Sequence, residues 1–255
     1  MYKVDLNCDL GESFGNYTLG MDDKVIPYIS SANIACGFHA SDPVVMNKTI
    51  KTAKDNNVQV GAHPGFPDLL GFGRRNMTIS PDEAYSYTLY QISALYGFCR
   101  ANDITMQHVK PHGALYNMAA KDYQLSTSIC KAIKDFDKEL IVMGLSGGNL
   151  LEAANDMGLK TASEFFADRA YEDNGSLVSR TKENSVIHDE NVAISRVIKA
   201  VKTGTVTTIS GKEIPIKADT ICVHGDNEKA LAFVEKIRKD LILSGIEICP
   251  LNKIL

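Results

Sequence analysis

The segment Val4-Asp5-Leu6-Asn7-Cys8-Asp9 alternates apolar and polar residues, and Glu12 follows just beyond it. In an extended strand, alternate side chains point to opposite faces. Asp5, Asn7 and Asp9 therefore share one face, and Val4, Leu6 and Cys8 the other. Three polar groups in register are costly in a dry core, so this face is expected to line the mouth of a pocket. Four of the six histidines, His39, His63, His112 and His224, each close a short apolar run: SANIACGFH, VQVGAH, MQHVKPH and TICVHGD. Lys110 stands two residues before His112, and Asp226 two after His224, so each pair can share a strand face. Arg74, in GFGRR, and Arg169, in SEFFADRAY, add guanidinium groups that can grip a carboxylate or phosphate through two parallel hydrogen bonds. Carboxylates, imidazoles, one lysine and arginines suit acid–base work on a small polar anion, or a metal-assisted hydrolysis. Plainer uses stand beside these. A strand-end histidine can simply be a satisfied polar residue. Lys110 can neutralise Asp5 or Asp9, Asp226 can cap a helix, and the arginines can tie down loops. His188 reads as a surface residue.

These residues need elements to bring them together. Apolar runs near 3–8, 32–37, 58–62, 106–110, 140–145, 160–166 and 219–223 read as buried strands. They alternate with helical stretches near 22–29, 43–56, 81–102, 120–134, 148–157, 188–202 and 227–244. Asp42-Pro43 and Ser80-Pro81-Asp82-Glu83 are helix starts, and Gly245 is a helix stop. Seven β/α units without a composition break predict one domain over 1–255, a closed or nearly closed α/β barrel of TIM-like type. The count is one strand short of the usual eight. Segment 204–217 reads as an inserted β-hairpin around Ser210-Gly211. In α/β folds of this kind ligands bind beyond the carboxyl ends of the strands. The four histidines are thus expected to share one pocket. The Gly- and Pro-rich loop 64–79 is long enough to be expected at that pocket too.

The chain has 255 residues and a net charge of −4. That charge gives no reason to expect nucleic acid or an anionic membrane as partner. No apolar stretch approaches the roughly 20 residues that span a bilayer. The N-terminus runs straight into a strand-like segment with no signal-peptide core, so a cytoplasmic location is expected. The six cysteines have no framework spacing and read as buried free thiols. A zinc site that joins one of them to His39 or His224 is the alternative. Phosphate-loop, serine-elbow and helical HExxH motifs are absent. GLSGGN at 144–149 could offer backbone N–H groups to an anion.

Six blocks in order, DLNCDLGE (5–12), ANIACGFHASDP (32–43), VGAHPGFPDLLGFGRR (60–75), VKPHGALYN (109–117), EFFADRAY (164–171) and ICVHGD (221–226), closely resemble the LamB/YcsF family. The resemblance spans nearly the whole chain. It implies an irregular seven-stranded β/α barrel of the glycoside hydrolase/deacetylase group. It also implies the role of the A subunit of bacterial 5-oxoprolinase, which opens 5-oxo-L-proline (pyroglutamate) to L-glutamate with hydrolysis of ATP to ADP and phosphate. Two further subunits, B and C, are implied as partners, with the ATP site shared among them or not. On this reading Asp9, Glu12, His39, His63, Lys110, His112 and His224 are catalytic candidates. Asp5, Asn7, Arg74, Arg169 and Asp226 are substrate-binding candidates, and a divalent metal is left open. Two rival expectations remain: a metal-dependent, deacetylase-like hydrolase, and a non-catalytic substrate-binding subunit. No helical HxxxH pair supports the first.

Overall fold

The computed structural model describes residues 1–179 and 181–255. Its strands are β1 (Tyr2–Leu10), β2 (Ser31–Ala35), β3 (Gln59–His63), β4 (Met106–Val109), β5 (Ile141–Leu145), β6 (Thr161–Phe166), β7 (Thr205–Thr207), β8 (Glu213–Pro215), β9 (Thr220–Val223) and β10 (Ile246–Ile248). Its helices are α1 (Asp22–Val25), α2 (Pro43–Asp55), α3 (Pro81–Ala101), α4 (Gly113–Ala119), α5 (Tyr123–Phe136), α6 (Asn149–Asp156), α7 (Glu190–Thr203) and α8 (Glu228–Leu243).

Strands β1 to β6 pair in sequence order, all parallel. β9 follows β6 and closes the ring by pairing with β1. The result is the seven-stranded parallel barrel read from the apolar runs. Leu6, Cys8, Ile34, Val60, Val109, Val142 and Ile221 are fully or nearly fully buried in one continuous core with the helices. Burial on this scale supplies most of the driving force for the fold. α2 starts at Asp42, whose carboxylate accepts from the Val44 and Val45 amides. α3 starts with a capping box between Ser80 and Glu83.

Three elements differ from expectation. The first helical stretch is split into α1 and a 3₁₀ turn over Ile26–Tyr28, where Pro27 interrupts it. α4 falls between the expected elements, because seven residues behind a histidine cap carry no clear periodicity. β10 is a strand beyond those expected. It lies outside the ring and pairs with the start of β1, Tyr2 opposite Ile246 and Val4 opposite Ile248. The turn after it buries Leu251 against Ile141, Met143 and Ala162, a small cluster separate from the main core. β7 and β8 form an antiparallel pair apart from the barrel.

Among the described residues no helix is long and apolar enough to cross a membrane. All six cysteines are free and buried.

Candidate active site

The inward face of β1 sets the site. Asp9 stands at its upper end, where its Oδ1 accepts from Lys110 Nζ at 2.9 Å and from Asn33 Nδ2 at 2.8 Å. Lys110 follows β4 and is almost fully buried. Its ammonium also meets Glu164 Oε1 of β6 at 2.8 Å and donates to Asn7 Oδ1 at 3.1 Å. The Tyr116 hydroxyl of α4 donates to Glu164 Oε2 at 2.7 Å. Burial alone opposes charge on Asp9 and Lys110. The positive field of His63 and then of Lys110 overrides it for Asp9, holding it well below the usual carboxylate range, and the charges of Asp9 and Glu164 hold Lys110 well above that of a lysine. The lysine is therefore a fixed charge that orients Asp9.

Beside this group sit three imidazoles. The His39 and His112 rings stack with centroids 3.7 Å apart, and His63 meets both edge-on. His63 Nε2 is 3.4 Å from Asp9 Oδ2. The close stack needs a neighbour without a side chain. Gly73 provides it, at φ 62°, in the loop that follows β3. A Cβ there would lie 2.7 Å from His39 Cβ and 2.9 Å from His112 Cδ2. Burial holds His39 and His112 well below the usual histidine range, with neighbouring imidazole charge adding to it. Glu12 follows a turn at Gly11 and reaches the same imidazoles. Burial, with Asp9 close by, raises it to about 7. Glu12, His39, His63 and His112 each place one donor atom within 4.8 Å of the others.

The cluster opens into a cavity of about 220 Å³ lined by Asp9, His63, Lys110, His112, Tyr116, Phe166, Arg74, Arg169 and His224. A second cavity of about 430 Å³ adjoins it and shares Arg74 and His224. Arg74 is exposed, its guanidinium 5.1 Å from the centre of the Phe72 ring. Arg169 is buried and donates to the Val178 and Ser185 carbonyls at 2.6 and 3.3 Å. The half-exposed His224 faces Asp168, with Nε2 3.8 Å from Oδ2.

The structure thus gathers Asp9, Glu12, His39, His63, Lys110 and His112, with Arg74, Arg169 and His224 around the cavity. Asp5 and Asn7 lie elsewhere. Each two-residue step along a strand moves about 6.6 Å down its axis, which takes both below the cavity into the closed barrel. There Asp5 accepts from Ser30, Ser31 and Thr220, and Asn7 bridges Thr220, Asn33 and Lys110. The interior is polar because these groups satisfy one another, and of that face only Asp9 reaches the mouth rather than all three residues. Asp226 is exposed and lines only the larger cavity, and the cap of α8 is Asn227. His188 is exposed. His108 also points inward, 2.7 Å from Asn33 Oδ1, against Gly61, where a Cβ would overlap its ring. Glu164 and Tyr116 join the site without being among the sequence candidates. The signal for Glu164 is a carboxylate inside an apolar strand run. For Tyr116 there is none without α4.

The LamB/YcsF family matches this chain over residues 4–255. A relative from Clostridium beijerinckii, named as the A subunit of 5-oxoprolinase, is 65% identical over 254 residues, covering 100% of both chains. A relative of the same name from Pyrococcus abyssi is 56% identical over 250 residues, covering 98% of each. The crystal structure of a lactam utilization protein from Thermus thermophilus superposes with a TM-score of 0.93 at 42% identity, covering 97% of this chain and 99% of that one. A T48 deacetylase, at 12% identity and a TM-score of 0.52, covers 99% of this chain and 89% of that one, and shares the fold alone.

Proposed function

The chain belongs to the LamB/YcsF family, and from that premise we propose that it acts as one subunit of an ATP-dependent 5-oxoprolinase. The reaction opens 5-oxo-L-proline to L-glutamate with conversion of ATP to ADP and phosphate, together with subunits B and C. The supporting relatives are those named as the A subunit of 5-oxoprolinase and the lactam utilization protein. The observation that carries the reading is the Asp9–Lys110–Glu164 group, with Asp9, Lys110, His63 and His112 at the wall of a 220 Å³ cavity. Such a cavity suits a small cyclic acid.

The chemistry follows from the lactam. Its carbonyl carbon is a poor electrophile, but its oxygen is the better nucleophile of the amide. Transfer of the terminal phosphoryl of ATP to that oxygen releases ADP and gives an imidate-like phosphate. Water adds to the carbon, giving up a proton. The C–N bond then breaks as the nitrogen gains a proton. The resulting acyl phosphate is cleaved by a second water to glutamate and phosphate. Asp9 and Glu12, with the imidazoles, are the groups placed to take and return these protons. Lys110 already faces Asp9 and Glu164, so the substrate carboxylate is assigned to Arg74 at the rim, with Arg169 behind it. On this reading the phosphoryl donor takes the larger cavity, which shares Arg74 and His224 with the smaller one. The pairing of this chain with B and C belongs to the same proposal.

Reconstitution with B and C tests it. Asp9→Asn is expected to lower kcat at least about 100-fold in an assay of 5-oxoproline-dependent ADP and glutamate release. Arg74→Ala is expected to raise KM for 5-oxoproline at least about tenfold with a smaller change in kcat. Near-normal turnover by Asp9→Asn, or no 5-oxoproline-dependent ATP consumption by the wild-type complex, would count against the assignment.

A further inference from the structure

Two backbone carbonyls fix the state of two imidazoles. His63 Nδ1 lies 2.7 Å from the Lys110 carbonyl oxygen, and His112 Nε2 lies 2.8 Å from the Phe72 carbonyl oxygen. A carbonyl only accepts, so both of these nitrogens carry hydrogen. In a neutral ring the other nitrogen is then a bare lone pair. Those two lone pairs, on His63 Nε2 and His112 Nδ1, face each other at 2.9 Å. They repel unless an electron-poor centre lies with them. Glu12 Oε1 stands 3.8 Å from His112 Nδ1 and 3.8 Å from His39 Nε2. His39 is fully buried, and neither of its ring nitrogens has a hydrogen-bond partner. A buried polar atom left in that condition costs about 1–3 kcal/mol.

We propose that Glu12, His39, His63 and His112 form a binding site for one divalent cation of the zinc class. Ligands held at about 2.0–2.1 Å around a tetrahedral ion lie about 3.4 Å apart. Three of the separations, 2.9, 3.8 and 3.8 Å, bracket that value, and all four donor atoms lie within 4.8 Å of one another, so the ion would draw the wider pairs in. Three imidazoles and a single carboxylate favour a borderline transition ion over Mg²⁺ or Ca²⁺, which take oxygen ligands. A ligating histidine donates its second N–H to a carbonyl or carboxylate, and this orients the ring and fixes the tautomer. His63 and His112 have that support from the main chain. The site stands on geometry alone and does not depend on the 5-oxoproline reading.

The competing occupant is a proton shared between His63 and His112. The two are told apart with the isolated full-length chain, without substrate or partner. After chelator treatment, Zn²⁺ is titrated by calorimetry and Co²⁺ by visible absorption. One equivalent of each is expected per chain, with the intense visible bands of low-symmetry, four-coordinate Co²⁺. His39→Ala is expected to weaken Zn²⁺ binding at least about 100-fold, and Glu12→Gln, at a less buried position, to weaken it and change the Co²⁺ spectrum. His188→Ala, a surface histidine, should change neither. Circular dichroism checks that each variant is folded; if His39→Ala is not, Glu12→Gln carries the comparison. Absence of stoichiometric uptake by wild type overturns the proposal. So does binding that is unaltered in the folded variants.

Discussion

Asp5 and Lys110 show how much the interior charges matter one residue at a time. Asp5 is fully buried, and burial raises its pKa from the ordinary 3.8 to about 6, with the hydroxyls of Ser30, Thr220 and Ser31 partly offsetting the rise. The unfolded chain loses this proton from about pH 4, whereas the fold retains it to about 6. The unfolded state thus binds fewer protons in this window, and stability falls as pH rises through it, then stays lower above it. The loss is on the order of 3 kcal/mol. Urea unfolding at pH 4.5 and 7 should show it as a drop in wild type that is much reduced in Asp5→Asn. Equal pH slopes in the two proteins would sink this account. Lys110→Met should cost about 3–5 kcal/mol, because it leaves Asp9 and Glu164 as buried charges without their cation. A cost under about 1 kcal/mol would show that the pairing is not needed for stability. At this scale the sequence is legible where a polar residue ends an apolar run: Asp9, His39, His63, Lys110 and His112 all stand out that way. It misleads for Asp5 and Asn7. Face alternation says which side a residue faces but not how far along the barrel axis it lies.

The strands are legible as elements because burial on both faces makes each a short apolar run, and the capped helices because their caps are chemical signatures. α4 and β10 are not. The first is too short to show a period, and β10 has three residues whose pairing depends on a distant edge. The loop after β3 carries more of the site than its composition suggests. It contributes the Phe72 carbonyl to His112, the Gly73 carbonyl to the Ala114 amide at the start of α4, and Arg74 to the cavity. Gly73→Ala combines a left-handed backbone penalty of about 1–2 kcal/mol with a Cβ in the space of two imidazoles. It should lower the thermal midpoint and separate the His39–His112 pair, read from the imidazole proton resonances of the folded variant. Unchanged resonances would mean that the loop yields and the rings do not.

Over the whole molecule, β1 is the strand on which the rest converges, bonded to β2 and β9 within the ring and to β10 at its base. Just after β10, Leu251 fills a separate apolar cluster with Ile141 and Met143 of β5 and Ala162 of β6. Leu251→Ala should cost about 2–5 kcal/mol in urea unfolding while leaving KM for 5-oxoproline in the reconstituted complex unchanged. A cost below about 1 kcal/mol would mean that the cluster is loosely packed. The closure also has a temporal side. Asp5 and its partner Thr220 are 215 residues apart. At about 5–20 residues per second, a ribosome adds that length in roughly ten to forty seconds. Throughout that interval the nascent first strand, with its two acidic side chains, has one edge without a mate. Asp5 therefore gains the last of its three hydroxyl partners only after the polypeptide has returned to where it began.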